Sequence, residues 1–190
     1  AGATVGGEFK VNSYTDNYQV GSRAAALNDG GFVVTWESYD QDGSGRGIYG
    51  QRFDSEGAAI GAEFQVNSFN TNDQRWSSTA ALNDGGFVVT WMSDGQDGSG
   101  YGIYGQRYDS AGAAVGGEFQ VNSTTAYSQW YSSTAALNDG GFVVTWTSDV
   151  QDGSWYGIYG QRFDSAGATV GGEFQVNTFT DLIQRDSSIT

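Results

Sequence analysis

The chain has 190 residues and a formal net charge of −14, from 22 acidic and 8 basic side chains, with no Cys, no His and no Pro. A field of that sign repels phosphate backbones and anionic lipid, so nucleic acid is excluded as a partner and membrane insertion is not expected. The missing Cys removes any disulfide framework or thiolate metal site, and no apolar run reaches the roughly 18 residues of a membrane-crossing helix.

The 30 Gly, with 6 Trp, 11 Tyr and 11 Phe, predict strands joined by tight turns rather than disorder. The segment GFVVTW occurs at Gly31–Trp36, Gly86–Trp91 and Gly141–Trp146, so the text repeats every 55 residues. Residues 1–12 read as the last strand of a preceding repeat. Residues 13–67, 68–122 and 123–177 are three full repeats, and 178–190 begin a fourth. Opening and closing inside a repeat predicts either a longer natural chain or a homo-oligomer.

Within the second repeat the first predicted strand is short and small, Thr79–Leu82. Asn83-Asp84-Gly85-Gly86 then supplies a hairpin turn, because these residues tolerate positive φ. The second strand, Phe87–Trp91, sets Phe87, Val89 and Trp91 on one face and Val88 and Thr90 on the other, which predicts cover on both sides. A polar loop, Ser93–Gly100, leads to the third strand, Ile103–Tyr108. The turn Asp109–Gly112 leads to the fourth, Glu118–Asn122, and the polar segment Ser123–Ser132 reads as a link to the next copy.

Four antiparallel strands per unit, in an all-β chain whose sheets need cover on both faces, predict tandem blades of a β-propeller, either part of a ring or of a longer array. The small first strand suits a crowded axis. A stacked β-solenoid is the alternative.

The combination ALNDGGFVVTW, a QDGSG loop, GIYGQRFD and VGGEFQVN resembles the tandem repeats of very large secreted bacterial proteins, the RTX-like or hemolysin-type calcium-binding adhesins. The resemblance spans essentially the whole chain. It implies an extracellular or cell-surface location and a structural or adhesive role. The calcium-binding nonapeptide GGxGxDxUx of those proteins has no copy here, so that mechanism is not carried over.

Three sets of residues are candidates for chemistry. The loops after the second strands carry Asp40 and Asp42, Asp94 and Asp97, and Asp149 and Asp152. Paired carboxylates among glycines can hold calcium, but two per loop fall short of its six to eight oxygens, and Asp-Gly turns have the same composition. A second set lies where the copies differ most, at one end of the sheets. Arg46, Tyr101 and Trp155 read as one position, Gly21, Trp76 and Tyr131 as another, and Val20, Arg75 and Trp130 precede the latter. Aromatic faces beside polar groups are how a lectin presents itself to sugars; the competing reading is packing between blades or between molecules. The third set is the recurring Gln51-Arg52, Gln106-Arg107 and Gln161-Arg162. It reads as an internal ion pair, with Asp54, Asp109 and Asp164 or with Glu63, Glu118 and Glu173, in preference to a grip on a ligand carboxylate.

Catalysis lacks its usual means, because no His can act as general base and no Cys as thiolate nucleophile. The S-x-D-x-G boxes of propeller glycosidases are absent as well. The sequence therefore predicts a non-enzymatic structural or adhesive segment of a larger bacterial surface protein. The alternative is a carbohydrate-binding propeller with one shallow site per blade. Its expected partners are surface glycans or other copies of itself.

Overall fold

The computed structural model describes residues 6–189. Its strands are β1 (Gln19–Ala26), β2 (Phe32–Tyr39), β3 (Arg46–Phe53), β4 (Ala59–Gln65), β5 (Gln74–Ala81), β6 (Phe87–Asp94), β7 (Tyr101–Tyr108), β8 (Ala114–Gln120), β9 (Gln129–Ala136), β10 (Phe142–Asp149), β11 (Tyr156–Phe163) and β12 (Thr169–Gln175), with no helix among the described residues. They form three antiparallel four-stranded sheets, ordered β1-β2-β3-β4, β5-β6-β7-β8 and β9-β10-β11-β12. A solenoid would pair strands of successive repeats; here each sheet is drawn from one repeat, so that alternative does not form. Of the two incomplete end segments, residues 1–5 and Thr190 lie outside the described residues. Residues 6–12 and 178–189 form no named strand.

The first hairpin of each sheet is closed by its Asn-Asp-Gly-Gly turn. In the first copy the Leu27 N–H donates to the Gly31 carbonyl at 2.8 Å, and Asp29 Oδ1 accepts the Gly31 N–H at 2.9 Å. Gly30 sits at φ +87°, which an L side chain resists. From there β2 and β3 pair without interruption, Phe32 opposite Phe53 through Tyr39 opposite Arg46.

Two boundaries depart from the sequence reading. The first strand starts five residues early, at Gln74 in the second copy, and the third copy's supposed link contains the start of β9. Gln129 explains this. It is buried, it pairs opposite Ser148, and its amide is satisfied by Asn122 and the Ala126 carbonyl. The fourth strand is Ala114–Gln120 rather than Glu118–Asn122. Gly105 faces Phe119 but Arg107 faces Val115, so the fourth strand itself bulges over residues 116–118, and Gln106 Nε2 fills the gap by donating to the Arg107 and Val115 carbonyls at 2.9 and 3.3 Å.

The sheets stack face to face in chain order. The leading face of the second sheet, with Phe87, Val89, Trp91, Tyr104 and Tyr108, packs on Leu27, Val33, Ile48 and Val66 of the first. Its trailing face, with Leu82, Val88, Ile103 and Val121, packs on Phe142, Val144, Trp146, Tyr159 and Phe163 of the third. Hydroxyls cross the same seams. Thr35 Oγ1 lies 3.0 Å from Ser77 Oγ and 3.1 Å from Thr79 Oγ1, and Thr90 Oγ1 lies 3.0 Å from Ser132 Oγ. The first strands sit side by side, β5 against β1 and β9 against β5. The fourth strands lie at the far edges, largely exposed.

Burial of the tyrosines has a pH consequence. The Tyr104 phenol is pushed up to about 12, chiefly by burial and then by Asp97 and Glu118. Tyr49 and Tyr108 are raised as well, again mainly by burial. A phenol that ionises less readily folded than unfolded contributes stability that is whole below the ordinary value of about 10. That stability is lost as pH rises toward the folded value, because the unfolded chain then binds fewer protons. The melting temperature is therefore expected to fall steeply above about pH 10. Phenolate absorbance should rise in step with unfolding; ionisation completed well before unfolding would contradict the assignment.

Candidate functional site

The candidate site lies at the rim where the end of one sheet's second strand and the start of its third meet the first strand of the next sheet. Each first strand carries a bulge there, marked by register shifts between Val20 and Arg23 and between Arg75 and Ser78. The third copy shows the same shift between Thr145 and Thr147 on the facing strand. The bulged residue takes positive φ. Gly21 does so at 67°, but Trp76 and Tyr131 do so at 52° and 56°. A bulky side chain in that region is strained, and the positive φ recurs at the equivalent Asp186.

Trp76 and Tyr131 lie against each other, with ring centroids 4.4 Å apart. Beside them Trp130 meets Tyr156 edge-on at 5.2 Å. These four rings, with Met92, Tyr101, Thr147 and Arg185, line a half-open pocket of about 200 Å³ between the second and third sheets. On its other side the Trp76–Tyr131 pair borders a cleft of about 430 Å³. It is lined by Arg23, Ser77, Ser78, Thr79, Ser132, Ser133, Asp186 and Ser187, whose serine and threonine hydroxyls each take part in a hydrogen bond within the fold. The pair thus stands between an aromatic pocket and a hydroxyl-lined cleft.

The equivalent groove between the first two sheets is filled by its own charges. Glu37 is only 2% exposed, is paired with Arg46 Nη1 at 2.9 Å, and accepts the Trp76 backbone N–H at 3.0 Å. Asp73 accepts the Arg46 backbone N–H and pairs with Arg75. Arg46 is therefore committed within the fold.

Of the six residues expected to meet a sugar, the structure brings Trp76, Tyr101, Trp130 and Tyr131 together and leaves Arg46 and Trp155 outside. Trp155 is 65% exposed on its loop. The strand register corrects its assignment, since Arg46, Tyr101 and Tyr156 all end the same ladder, opposite Tyr39, Asp94 and Asp149. The sequence reading slipped by one residue and so passed over Tyr156. Counting 55 residues on from Tyr101 would have found it. Met92 was passed over because it sits where the other copies have Glu37 and Thr147.

The loop aspartates serve their own turns. Oδ1 of Asp42, Asp97 and Asp152 accepts the N–H of Ser44, Ser99 and Ser154 at 3.2, 3.0 and 3.0 Å. Asp42 and Asp152 also accept the amides of Gln65 and Gln175. Asp40 adopts φ 58°, and Asp94 and Asp149 end strands β6 and β10. Among the described residues no group of three or more Asp, Glu, His or Cys side chains converges on a metal position. The repeated arginines do form internal pairs, but with a different acid from those expected. Arg52 reaches Asp29 at 3.2 Å, Arg107 reaches Asp84 at 3.4 Å, and Arg162 pairs with Asp139. The β2–β3 register explains this by setting Arg52 opposite Val33, next to the first turn.

No family profile and no curated relative matches this sequence. Solved structures share its fold. An alpha-L-arabinofuranosidase from Lactobacillus brevis is similar at a TM-score of 0.56 and 9% identity, over 94% of this chain and 61% of that one. A protein of unknown function from Dyadobacter fermentans DSM 18053 is similar at 0.59 and 9%, over 87% and 56%. An endo-1,4-beta-xylanase from Bacteroides thetaiotaomicron VPI-5482 is similar at 0.50 and 10%, over 82% and 59%. The chain thus spans less than two thirds of each of these proteins, and at such identities the likeness concerns the fold alone.

Proposed function

We propose that this chain is a non-enzymatic, adhesive repeat segment of an extracellular bacterial protein, that its sheets are blades of a β-propeller, and that it adheres by binding carbohydrate in the groove between the second and third sheets. The observation that carries this reading is the strained Trp76–Tyr131 pair between an aromatic pocket and a hydroxyl-lined cleft. A sugar ring offers one apolar face and a fringe of hydroxyls. It needs an aromatic surface and polar partners side by side, which is the usual composition of a small-ligand site. Edge-to-edge first strands with outward fourth strands support the blade reading. The adhesive role and the extracellular setting rest on the repeat text. Two of the similar structures bear the names of an arabinofuranosidase and an endo-xylanase, which agrees with a carbohydrate ligand.

A glycan array, read in calcium and again with chelator, tests the reading. Selective binding is expected, and its loss with chelator would add metal to the site. Trp130→Ala is expected to weaken the best ligand about 30-fold, the scale of a buried aromatic anchor. Tyr131→Gly should weaken it similarly while leaving the melting temperature within about 3 °C, because relief of the positive φ offsets the lost packing. Calorimetric titration and thermal melts read the two effects separately. An array blank in both buffers sinks the carbohydrate reading and leaves a purely structural segment.

A further inference from the structure

The trailing face of the third sheet has no sheet on it. Val66 and Val121, at equivalent positions of the first two sheets, are 5% and 4% exposed, whereas Val176 is 49% exposed. The side chains of Arg52 and Arg107 are 6% and 9% exposed, and that of Arg162 is 45%. Leu137, Val143, Arg162 and Phe174 line a shallow groove of about 460 Å³ there. The molecule itself shows what covers such a face, because it covers it twice.

The covering surface is also present at the other end. The leading faces of the second and third sheets are Phe87, Val89, Trp91, Tyr104, Tyr108 and Phe142, Val144, Trp146, Tyr159, Phe163. The first sheet presents Phe32, Val34, Trp36, Tyr49 and Phe53, the same residues but for Phe at the Tyr108 position. The trailing residues Leu27, Val33, Ile48, Phe64 and Val66 recur unchanged as Leu137, Val143, Ile158, Phe174 and Val176. Two surfaces that fit each other inside the chain therefore stand at its two ends.

We propose that the trailing face of the third sheet is an interface for a second copy of this chain, which docks head to tail through the leading face of its first sheet. The internal seams supply the contacts. Asn28 and Asn83 donate Nδ2 to the carbonyls of Leu82 and Leu137 at 2.8 and 3.0 Å, so Asn138 meets Leu27 of the second copy. Arg107 Nη2 donates to the Ser165 carbonyl at 2.8 Å, so Arg162 meets Ser55 of the second copy.

Short terminal segments hold these places now. Phe9 lies 5.3 Å from Phe53, as Phe64 lies 5.3 Å from Tyr108 and Phe119 5.4 Å from Phe163. Ser187 Oγ lies 2.9 Å from Thr145 Oγ1, where Ser132 meets Thr90 in the complete seam. Neither segment brings the middle strands of a sheet, and Phe9, Phe179, Leu182 and Ile183 stay exposed. Docking exchanges each segment for a whole sheet, Phe174 replacing Phe9 and β1 replacing the residues around Ser187. Such a heterologous contact closes into a ring if the rotation allows and otherwise extends.

Sedimentation of the full chain across the micromolar range tests this. The native chain is expected to associate, as a discrete dimer if the ring closes and as a ladder if it does not. Val143→Asp, at a half-buried position, is expected to raise the association midpoint at least tenfold. Arg162→Glu, on an exposed side chain that the fold does not need buried, should do the same, which keeps the test valid if the first variant folds poorly. Val115→Asp, on the exposed fourth strand of the middle sheet, should associate like the native chain. A native chain that stays monomeric overturns the proposal, and so does association that both interface variants leave intact. Neither result depends on whether carbohydrate binds.

Discussion

Replacing Trp91 by Ala is expected to cost about 3–5 kcal/mol of stability, the range for emptying a buried aromatic site. For a chain of this size that corresponds to a fall of about 10 °C in melting temperature. Trp91 is fully buried, and its ring is shared between two sheets: it belongs to the second and fills the seam against Leu27, Val33, Ile48 and Val66 of the first. Neither sheet can collapse into the space alone, because each is held flat by its ladders. The same substitution at Trp36 should cost clearly less, because residues 6–12 cover that ring and can settle into the void. Trp91→Phe should also cost much less than Trp91→Ala. The Trp91 indole N–H is buried without an acceptor, so its removal deletes a desolvated donor worth about 1–3 kcal/mol while keeping an aromatic ring in place. Urea unfolding of the four proteins gives the order native, Phe, Trp36→Ala, Trp91→Ala. If Trp91→Ala matched Trp36→Ala, the inter-sheet seam would not be where the stability resides.

The parts of this fold that follow simple periodicity were legible. Phe87, Val89 and Trp91 alternate with Val88 and Thr90, and all five are buried, which is what a strand covered on both faces requires. The Asn-Asp-Gly-Gly turns fell where positive φ was needed. What stayed hidden was irregular. The bulge at Gly21, Trp76 and Tyr131 breaks the period of two, so the first strand looked short and its polar beginning looked like a link. The partners of the repeated arginines depend on the β2–β3 register, which no local pattern states. Asp42, Asp97 and Asp152 left a cation open but suited a turn better, and their hydrogen bonds to the serines two residues on agree with the turn.

The candidate site was half legible, for a related reason. Variation among the copies pointed to this rim, and four of the six residues chosen there meet. Variation alone does not separate a groove that is filled from one that is open. At position 37 the buried Glu37 recruits Arg46 and the Trp76 N–H and closes its groove, whereas Met92 at the equivalent position leaves room for four rings. The chemistry of one buried side chain thus decides which of two nearly identical grooves is filled and which stays open.

Gly86→Ala is expected to be as damaging as loss of the tryptophan, at about 3 kcal/mol or more, although it adds one methyl group. Overpacking costs about 1–3 kcal/mol where side chains can yield, and more where they cannot. Here the added Cβ would run into the Tyr108 carbonyl oxygen, with Asp84 Oδ1 and the Asp109 Cα also inside ordinary contact. Two of these three are backbone, and they belong to β7 and the turn that follows it. The turn cannot back away on its other side either, since the Leu82 N–H donates to the Gly86 carbonyl at 2.8 Å and Asn83 bonds across to Leu137 of the next sheet at 3.0 Å. Gly85, its neighbour, provides the control. It sits at φ +87° and its Cβ would meet only the Ser110 Cβ, so Gly85→Ala should cost about 1–2 kcal/mol, the conformational penalty alone. Denaturation midpoints that place Gly85→Ala above Gly86→Ala in cost would mean that the turn does not press on β7 as described. The expected order would instead locate the demand for the second glycine in the approach of two strands rather than in its own torsion angles, which is why the pair Gly-Gly, and not a single Gly, recurs at the first hairpin of each repeat.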